Sequence, residues 1–295
     1  MSDLAGAFAD LKSDIVMLVG DRVEAFAAAS AASVSGVPVA HIHGGDRALG
    51  QVDDMLRHAI TKLSHIHFPA TKNSAARLKK LGENSSRIHC VGSPGIDGIV
   101  QSAMSAGNVR EKYNCPKPYS LLLLHPTDAD AKLETRKVKM LLQALMKRSD
   151  RLIAIGPNND AGSAGIVQTL SNAVSERLSF YPDVPRGDFL ALMRDALFLI
   201  GNSSSGIIEA ASFGTPVIDV GPRQMGREHG RNVMHSDWNI AMLEKTITSI
   251  LKSRTTPKRF PARNIYGMGN TARKIATVLS QVEINQKLLR KIIAY

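Results

Sequence analysis

Seven short stretches of the chain carry the residue types that move protons or hold anions. In Gly20-Asp21-Arg22 a carboxylate directly follows an apolar run, where Asp21 serves either as a base or as the cap of the next helix. A second apolar run ends in His41-Ile42-His43-Gly44-Gly45-Asp46. Imidazole titrates near neutral pH, so His43, beside two glycines, suits general acid–base work. Metal binding by these histidines lacks a second ligand pair at useful spacing. Ten residues after His43, Asp53-Asp54-Met55-Leu56-Arg57-His58 opens a helical stretch. Asp53 and Arg57 stand four apart and either pair on one helix face or leave Asp53 and Asp54 free to remove and return protons.

The second half of the chain reads as anion-binding. His125-Pro126-Thr127-Asp128 follows an apolar run, and proline turns the histidine out of regular structure. The loop Gly156-Pro157-Asn158-Asn159-Asp160-Ala161-Gly162-Ser163 has the composition of a tight turn. Gly201-Asn202-Ser203-Ser204-Ser205-Gly206 leads from a strand-like run into a helical one, presenting hydroxyls and backbone N–H groups suited to a diphosphate. Glu209, one turn further on, reaches toward sugar hydroxyls. The spacing is not that of a Walker loop, which disfavours an ATPase. Arg223 and Arg227 follow the next apolar run and add phosphate-binding charge, or Arg227 pairs with Glu228 on the surface.

Elements of fixed kind must position these groups. Short apolar runs at 15–19, 37–42, 66–69, 88–91, 119–124, 152–155, 197–200 and 217–220 are expected strands. Helical stretches are expected at 22–33, 53–64, 72–81, 132–148, 164–176, 187–195 and 205–213. Continuously apolar strands alternating with helices indicate an α/β protein with parallel sheets covered on both faces. In such sheets ligands sit at the carboxyl ends of strands, where the seven stretches fall. The stretch 105–118 lacks periodicity and contains two prolines, which divides the chain into Rossmann-like halves at 1–110 and 111–270, with a cleft between them. A helix at 271–295 is expected to pack back toward the first half.

Bulk properties agree with an ordinary globular protein: 295 residues, 44% hydrophobic and 21% charged. No run approaches a membrane span and the N-terminus lacks a signal-peptide layout. Two cysteines make no disulfide framework, so a cytoplasmic location is expected. The net charge of +11 is uneven, with ten Lys or Arg from Leu251 to Tyr295 against Glu283 alone. Low aromatic content and the absence of nucleic-acid-binding signatures exclude nucleic acid as the expected partner and favour an anionic small molecule.

Taken together, GDR at 20–22, HIHGG at 41–45, DDMLRHAITKLSHIHFPAT at 53–71, GSPGID at 92–97, HPTD at 125–128, PNNDAGS at 157–163, GNSSSGIIEAASFGTPVID at 201–219, RQMGREHGRNV at 223–233 and NIYGMGN at 264–270 resemble the hydrolysing UDP-N-acetylglucosamine 2-epimerases. The match runs in order from about residue 14 to 280. HIHGG is similar to the bacterial sialic-acid and legionaminic-acid branch, whereas non-hydrolysing relatives carry Glu in place of His43.

The resemblance implies a two-domain glycosyltransferase-B fold and conversion of UDP-N-acetylglucosamine to N-acetylmannosamine and UDP, or the same reaction on another nucleotide-linked amino sugar. The route it implies is anti elimination of UDP followed by hydration with inversion at C2. It further implies that Asp21, Asp53 and Asp54 are the acid/base carboxylates, with His43 nearby, and that His125 contacts the diphosphate. Ser203, Ser204, Ser205, Gly206 and Glu209 resemble the UDP-binding turn, with Arg57, Asn158, Asp160, Ser163, Arg223 and Arg227 as further substrate contacts. No metal or redox cofactor is implied, and the complete protein is expected to be a homodimer. Family members begin with roughly three further strand–helix units before the GDR strand. On that comparison, the natural product is expected to be longer, or this chain to be an inactive remnant that binds UDP weakly.

Overall fold

The computed structural model describes residues 1–47, 52–105, 108–115, 118–147, 151–251 and 259–294. They form two compact units, one made of Met1–Asp97 with Ile265–Tyr295 and the other of Gly98–Asn264.

The first unit alternates helix and strand: α1 (Ser2–Asp10), β1 (Val16–Val19), α2 (Val23–Val34), β2 (Val39–Ile42), α3 (Val52–Leu63), β3 (Ile66–Phe68) and α4 (Lys72–Lys80). The three strands pair in parallel in the order β1-β2-β3. Successive residues of β2 serve opposite faces. Val39 packs with Val16, Leu18, Ala29 and Ile60, while Ala40 and Ile42 pack with Ile66, Phe68, Val91 and Ile275. The run 88–91 lies beside β3 without forming a regular strand: Ile88 bridges His67, and the His89 and Val91 N–H groups donate to the His67 and Pro69 carbonyls at 2.9 and 3.2 Å.

The second unit contains α5 (Ile99–Ser105), α6 (Val109–Lys112), β4 (Ser120–Leu123), α7 (Ala131–Met146), β5 (Leu152–Ile155), α8 (Ser163–Asn172), β6 (Leu178–Tyr181), α9 (Arg186–Asp195), β7 (Leu199–Gly201), α10 (Ser204–Ile208), β8 (Val217–Val220), β9 (Val233–Ser236) and α11 (Ile240–Leu251). Its six strands are all parallel in the order β6-β5-β4-β7-β8-β9. The order reverses between β4 and β7, and this switch point is where a doubly wound sheet opens a crevice at its strand ends. Leu122, Ile200, Ile218, Leu141 and Ile247 belong to one continuous buried core. The strands β6 and β9 were not among those expected. They are the two sheet edges, and their mixed burial leaves no continuous apolar run to read.

The division falls at Asp97–Gly98 rather than 110–111. Ile99, Ala103 and Val109 are buried, Arg194 donates to the Ala103 carbonyl at 2.9 Å, and Tyr113 donates to Asp188 at 2.6 Å. These bonds tie α5 and α6 to α9. Within the stretch 105–118, residues 106–107 and 116–117 lie outside the described residues, as does residue 148 at the end of the expected helix 132–148. Residues 265–270 and α12 (Thr271–Leu279) count with the first unit, as does the short α13 (Gln286–Leu289). Asp97 accepts the Thr271 and Ala272 N–H groups at the start of α12, at 3.0 and 2.7 Å. No helix among the described residues is long and apolar enough to cross a membrane.

Candidate active site

In the first unit the expected carboxylates gather around one guanidinium. Asp21 follows β1 and Gly20, while Asp53, Asp54 and Arg57 occupy the first turns of α3. Arg57 is only 1% exposed; it pairs with Asp21, reaches Asp54 Oδ1 at 3.4 Å and donates to the Asp46 carbonyl at 3.1 Å. It therefore pairs with Asp54 and Asp21 and not with Asp53, the partner its i, i+4 spacing suggested. Asp53 is half-buried and has no side-chain partner among the described residues. Arg57 was expected among the substrate contacts; its guanidinium is instead enclosed by acceptors of its own unit. The buried guanidinium is thus shared between two carboxylates.

The two histidines of HIHGG separate by role. Positions i and i+2 of a continuous strand share a face, but β2 ends at Ile42 and His43 takes φ +67°, so its ring departs from the strand's pattern. His41 is buried; it donates from Nε2 to the Gly20 carbonyl at 2.8 Å and contacts Thr61 Oγ1 through Nδ1 at 3.2 Å. Burial pulls its pKa down to about 4, so it is a neutral structural tie. His43 Nδ1 lies 2.9 Å from Asp46 Oδ2 and its Nε2 3.0 Å from Ser93 Oγ. Asp46 also accepts from Ser74 Oγ at 2.8 Å. This carboxylate–imidazole–hydroxyl line has the bonding of a nucleophile triad, yet Ser93 is buried and its oxygen also accepts the Gly95 N–H. Its role is to orient the ring. Gly45 is required here, since φ is +81° and a Cβ would lie 2.4 Å from the Ser74 carbonyl oxygen.

In the second unit the expected residues cluster at the switch point. Asn202, one residue beyond β7, accepts the His125 N–H at 2.7 Å and donates to the His125 carbonyl at 2.8 Å. The Asn202 carbonyl in turn accepts Arg223 at 3.1 Å and Gln224 at 2.9 Å. One buried asparagine thus ties together the loops after β4, β7 and β8. Gly201 permits the approach of β7 to β4, because a Cβ there would meet the Leu123 carbonyl oxygen at 1.9 Å. Asn158 donates its N–H to His125 Nδ1 at 3.0 Å. That leaves the hydrogen of the neutral ring on Nε2. Burial, with Arg223 nearby, pulls the His125 pKa down to about 4, so the ring is a neutral N–H donor at physiological pH.

The serine turn divides its labour. Ser203 caps α10 by accepting the Ser205 N–H at 3.4 Å, and its hydroxyl pairs with that of Ser205 at 2.9 Å. Ser204 keeps a half-exposed hydroxyl with no partner among the described residues. α10 runs only five residues before the turn Ala210–Phe213, so hydroxyl and arginine donors outweigh any helix dipole here. Gly206, expected among the ligand contacts, instead packs α10 onto the sheet: a Cβ there would lie 2.9 Å from Val217. Glu209 is held by Arg186 at 3.0 and 3.1 Å, and burial raises its pKa. Asn158 donates to Asp160, Ser163 begins α8, and Arg227 donates to Gln224 Oε1 at 3.0 Å.

Five positioning residues escaped the sequence reading: Asp46, Ser93, Glu134, Arg186 and Asn202. Glu134 is buried on α7, and its Oε1 accepts the N–H groups of Thr127 and Asp128 at 3.0 and 2.9 Å, anchoring the loop that carries His125. A signal existed for Asn202, which stands inside the serine turn, and for Asp46 at the end of HIHGGD. Among the described residues no group of three or more His, Cys, Asp or Glu is arranged to hold a metal ion.

The chain matches the sequence pattern described as UDP-N-acetylglucosamine 2-epimerase over residues 1–280. It is 36% identical over 264 residues to the UDP-N-acetylglucosamine 2-epimerase of Neisseria meningitidis serogroup B, covering 89% of this chain and 69% of that protein. It is also 36% identical over 291 residues to the UDP-N,N'-diacetylbacillosamine 2-epimerase (hydrolyzing) of Legionella pneumophila, covering 96% and 74%. In fold it resembles the crystal structure of a Neisseria meningitidis UDP-GlcNAc 2-epimerase bound to UDP-GlcNAc, with a TM-score of 0.81 at 20% identity over 95% of this chain and 80% of that one. The doubly wound second unit and the extent of these matches lead to one statement: the chain belongs to the UDP-N-acetylglucosamine 2-epimerase family.

Proposed function

We propose that the protein hydrolyses UDP-N-acetylglucosamine to UDP and N-acetylmannosamine, inverting C2. The observation that carries this reading is the switch-point cluster of the second unit. There a neutral His125 Nε2–H, the Ser204 hydroxyl and the half-buried arginines Arg223 and Arg227 suit a diphosphate, and Glu209 suits a ribose diol. The nucleotide is therefore assigned to the second unit.

In the first step a carboxylate takes the C2 proton as the C1–O bond breaks; the electron pair of the C–H bond forms C1=C2, and UDP departs with the bonding electrons. Asp53 is the base of choice, because no side chain among the described residues pairs with it, whereas Arg57 engages Asp21 and Asp54. His125 donates a hydrogen bond to the departing diphosphate and, being neutral with its hydrogen on Nε2, stabilises developing charge without needing to lose a proton. In the second step water adds its hydroxyl to C1 and a proton is delivered to C2 from the opposite face. His43, aligned by Asp46 and Ser93, is assigned to this proton inventory with Asp21 and Asp54. A content of two cysteines fits a reducing, cytoplasmic setting.

A second substrate is favoured equally by one observation, the 36% identity to the diacetylbacillosamine enzyme over 96% of the chain. The test offers both nucleotide sugars in parallel and measures UDP release. A kcat/KM at least tenfold higher for UDP-N-acetylglucosamine supports the reading. The reverse ratio transfers it to the diacetamido sugar, and no UDP from either rejects it.

A further inference from the structure

A pair of histidines in the second unit, outside the groups assigned above, brings one nitrogen of each ring to a shared point. His229 lies in the segment after Arg227 and His235 on β9, and their Nε2 atoms are 3.2 Å apart. The other nitrogen of each ring already faces an acceptor. His229 Nδ1 is 3.0 Å from the Gly230 carbonyl oxygen, and His235 Nδ1 is 2.8 Å from Oδ2 of Asp219, a carboxylate 1% exposed on the neighbouring strand β8. The tautomer with its hydrogen on Nδ1 presents Nε2 as a lone pair, and each Nδ1 has an oxygen close by to favour it. In that tautomer both rings aim a lone pair at one point, which a shared cation would occupy.

The ring geometry accommodates an ion larger than a proton. Imidazole nitrogens bind zinc at about 2.05 Å, and two of them 3.2 Å apart subtend an angle of about 103°, close to tetrahedral. Rings pointing at that shared centre have centroids about 5.0 Å apart. The observed separation is 4.9 Å, with ring planes crossing at 77°.

We propose that His229 and His235 form a two-histidine site for a divalent transition cation of the zinc class, with Asp219 orienting His235. Metal-bound histidines characteristically direct their second nitrogen at a carboxylate or a backbone carbonyl, and these two do one of each. Imidazole is a preferred donor for zinc, nickel and copper. No third His, Cys, Asp or Glu among the described residues completes the shell, so the remaining positions fall to water or to an added anion. Both rings are exposed, which leaves the site open to exchange.

The test uses the tag-free chain, stripped with a chelator and dialysed to equilibrium against zinc chloride in a non-coordinating buffer, with bound zinc measured per chain. One saturable equivalent is expected in the wild type and absent from both His229→Gln and His235→Gln. Asp219→Asn should weaken it about 10–100-fold. Far-UV circular dichroism verifies that each variant is folded; because Asp219 is buried, Asp219→Glu serves if Asp219→Asn is not. A wild type with no saturable zinc, or an equivalent that survives both histidine substitutions, overturns the proposal. An affinity unchanged on altering Asp219 overturns its orienting part.

Discussion

The side-chain amide of Asn202 clasps the backbone of His125 from both sides, accepting its N–H at 2.7 Å and donating to its carbonyl at 2.8 Å. The two residues are 77 positions apart and lie just beyond the ends of β7 and β4, the strands between which the sheet order reverses. The clasp satisfies two backbone groups that no ladder partner reaches, and it fixes where the His125 ring stands.

Asn202→Ala leaves those groups unpaired in a buried position, which costs about 1–3 kcal/mol for each unsatisfied group. Urea unfolding should register a loss of that order, and UDP affinity measured by calorimetry should fall because His125 is no longer positioned. Unchanged affinity in a folded Asn202→Ala would separate the clasp from nucleotide binding.

The His125 pKa, lowered from 6.5 to about 4, sets a sign for acid stability. Between those values the unfolded chain binds the proton more readily than the folded one. The contribution is therefore complete above pH 6.5 and declines as the pH falls toward 4. A His125→Asn variant should lose this part of the acid dependence. In the wild type, the His125 ring resonances should not titrate between pH 5 and 8; a midpoint near 6.5 would contradict the neutral-donor role.

Asp53→Asn and Arg57→Met should fail in different ways. Asp53 has no side-chain partner among the described residues, so its substitution should leave the melting temperature nearly unchanged and lower kcat by about 10²–10⁴-fold. Arg57→Met leaves Asp21 and Asp54 without their counter-charge in a largely enclosed site and should cost about 3–5 kcal/mol of stability. Turnover within a few-fold of wild type in Asp53→Asn would reassign the base.

Glu83 anchors the C-terminal segment. It contacts His67 at 2.9 Å, Lys62 at 3.2 Å and Lys291 at 2.7 Å, while Lys291 also donates to the Thr61, Lys62 and Ser64 carbonyls at the end of α3. These contacts outweigh burial and hold the Glu83 carboxyl down at about 2, against an ordinary 4.5. Its contribution is present in full above pH 4.5 and is lost as the pH falls toward 2. Lys291→Met should destabilise the first unit at pH 7 and flatten this acid limb. A wild-type acid limb in the variant would show that the carboxylate does not depend on Lys291.

The doubly wound architecture was legible because buried parallel strands are continuous apolar runs and ligand groups follow their carboxyl ends. β6 and β9 escaped because edge strands carry the partial exposure that their burial patterns record. The serine turn and HPTD were legible as local clusters. What the sequence could not display is pairing over distance: Arg57 chooses Asp21 over its neighbour Asp53, Ser93 orients His43 from 50 residues away, and Gly206 serves packing. These choices depend on which strand ends lie side by side, a property of topology that residue spacing does not encode.

The central claim is that the chain cleaves a UDP-sugar by removing and replacing the C2 proton. Incubating it with UDP-N-acetylglucosamine in deuterium oxide, and identifying the sugar by NMR and mass, tests this directly. The account predicts UDP and N-acetylmannosamine bearing deuterium at C2. Release of N-acetylglucosamine, or of N-acetylmannosamine that retains its original C2 hydrogen, would contradict it.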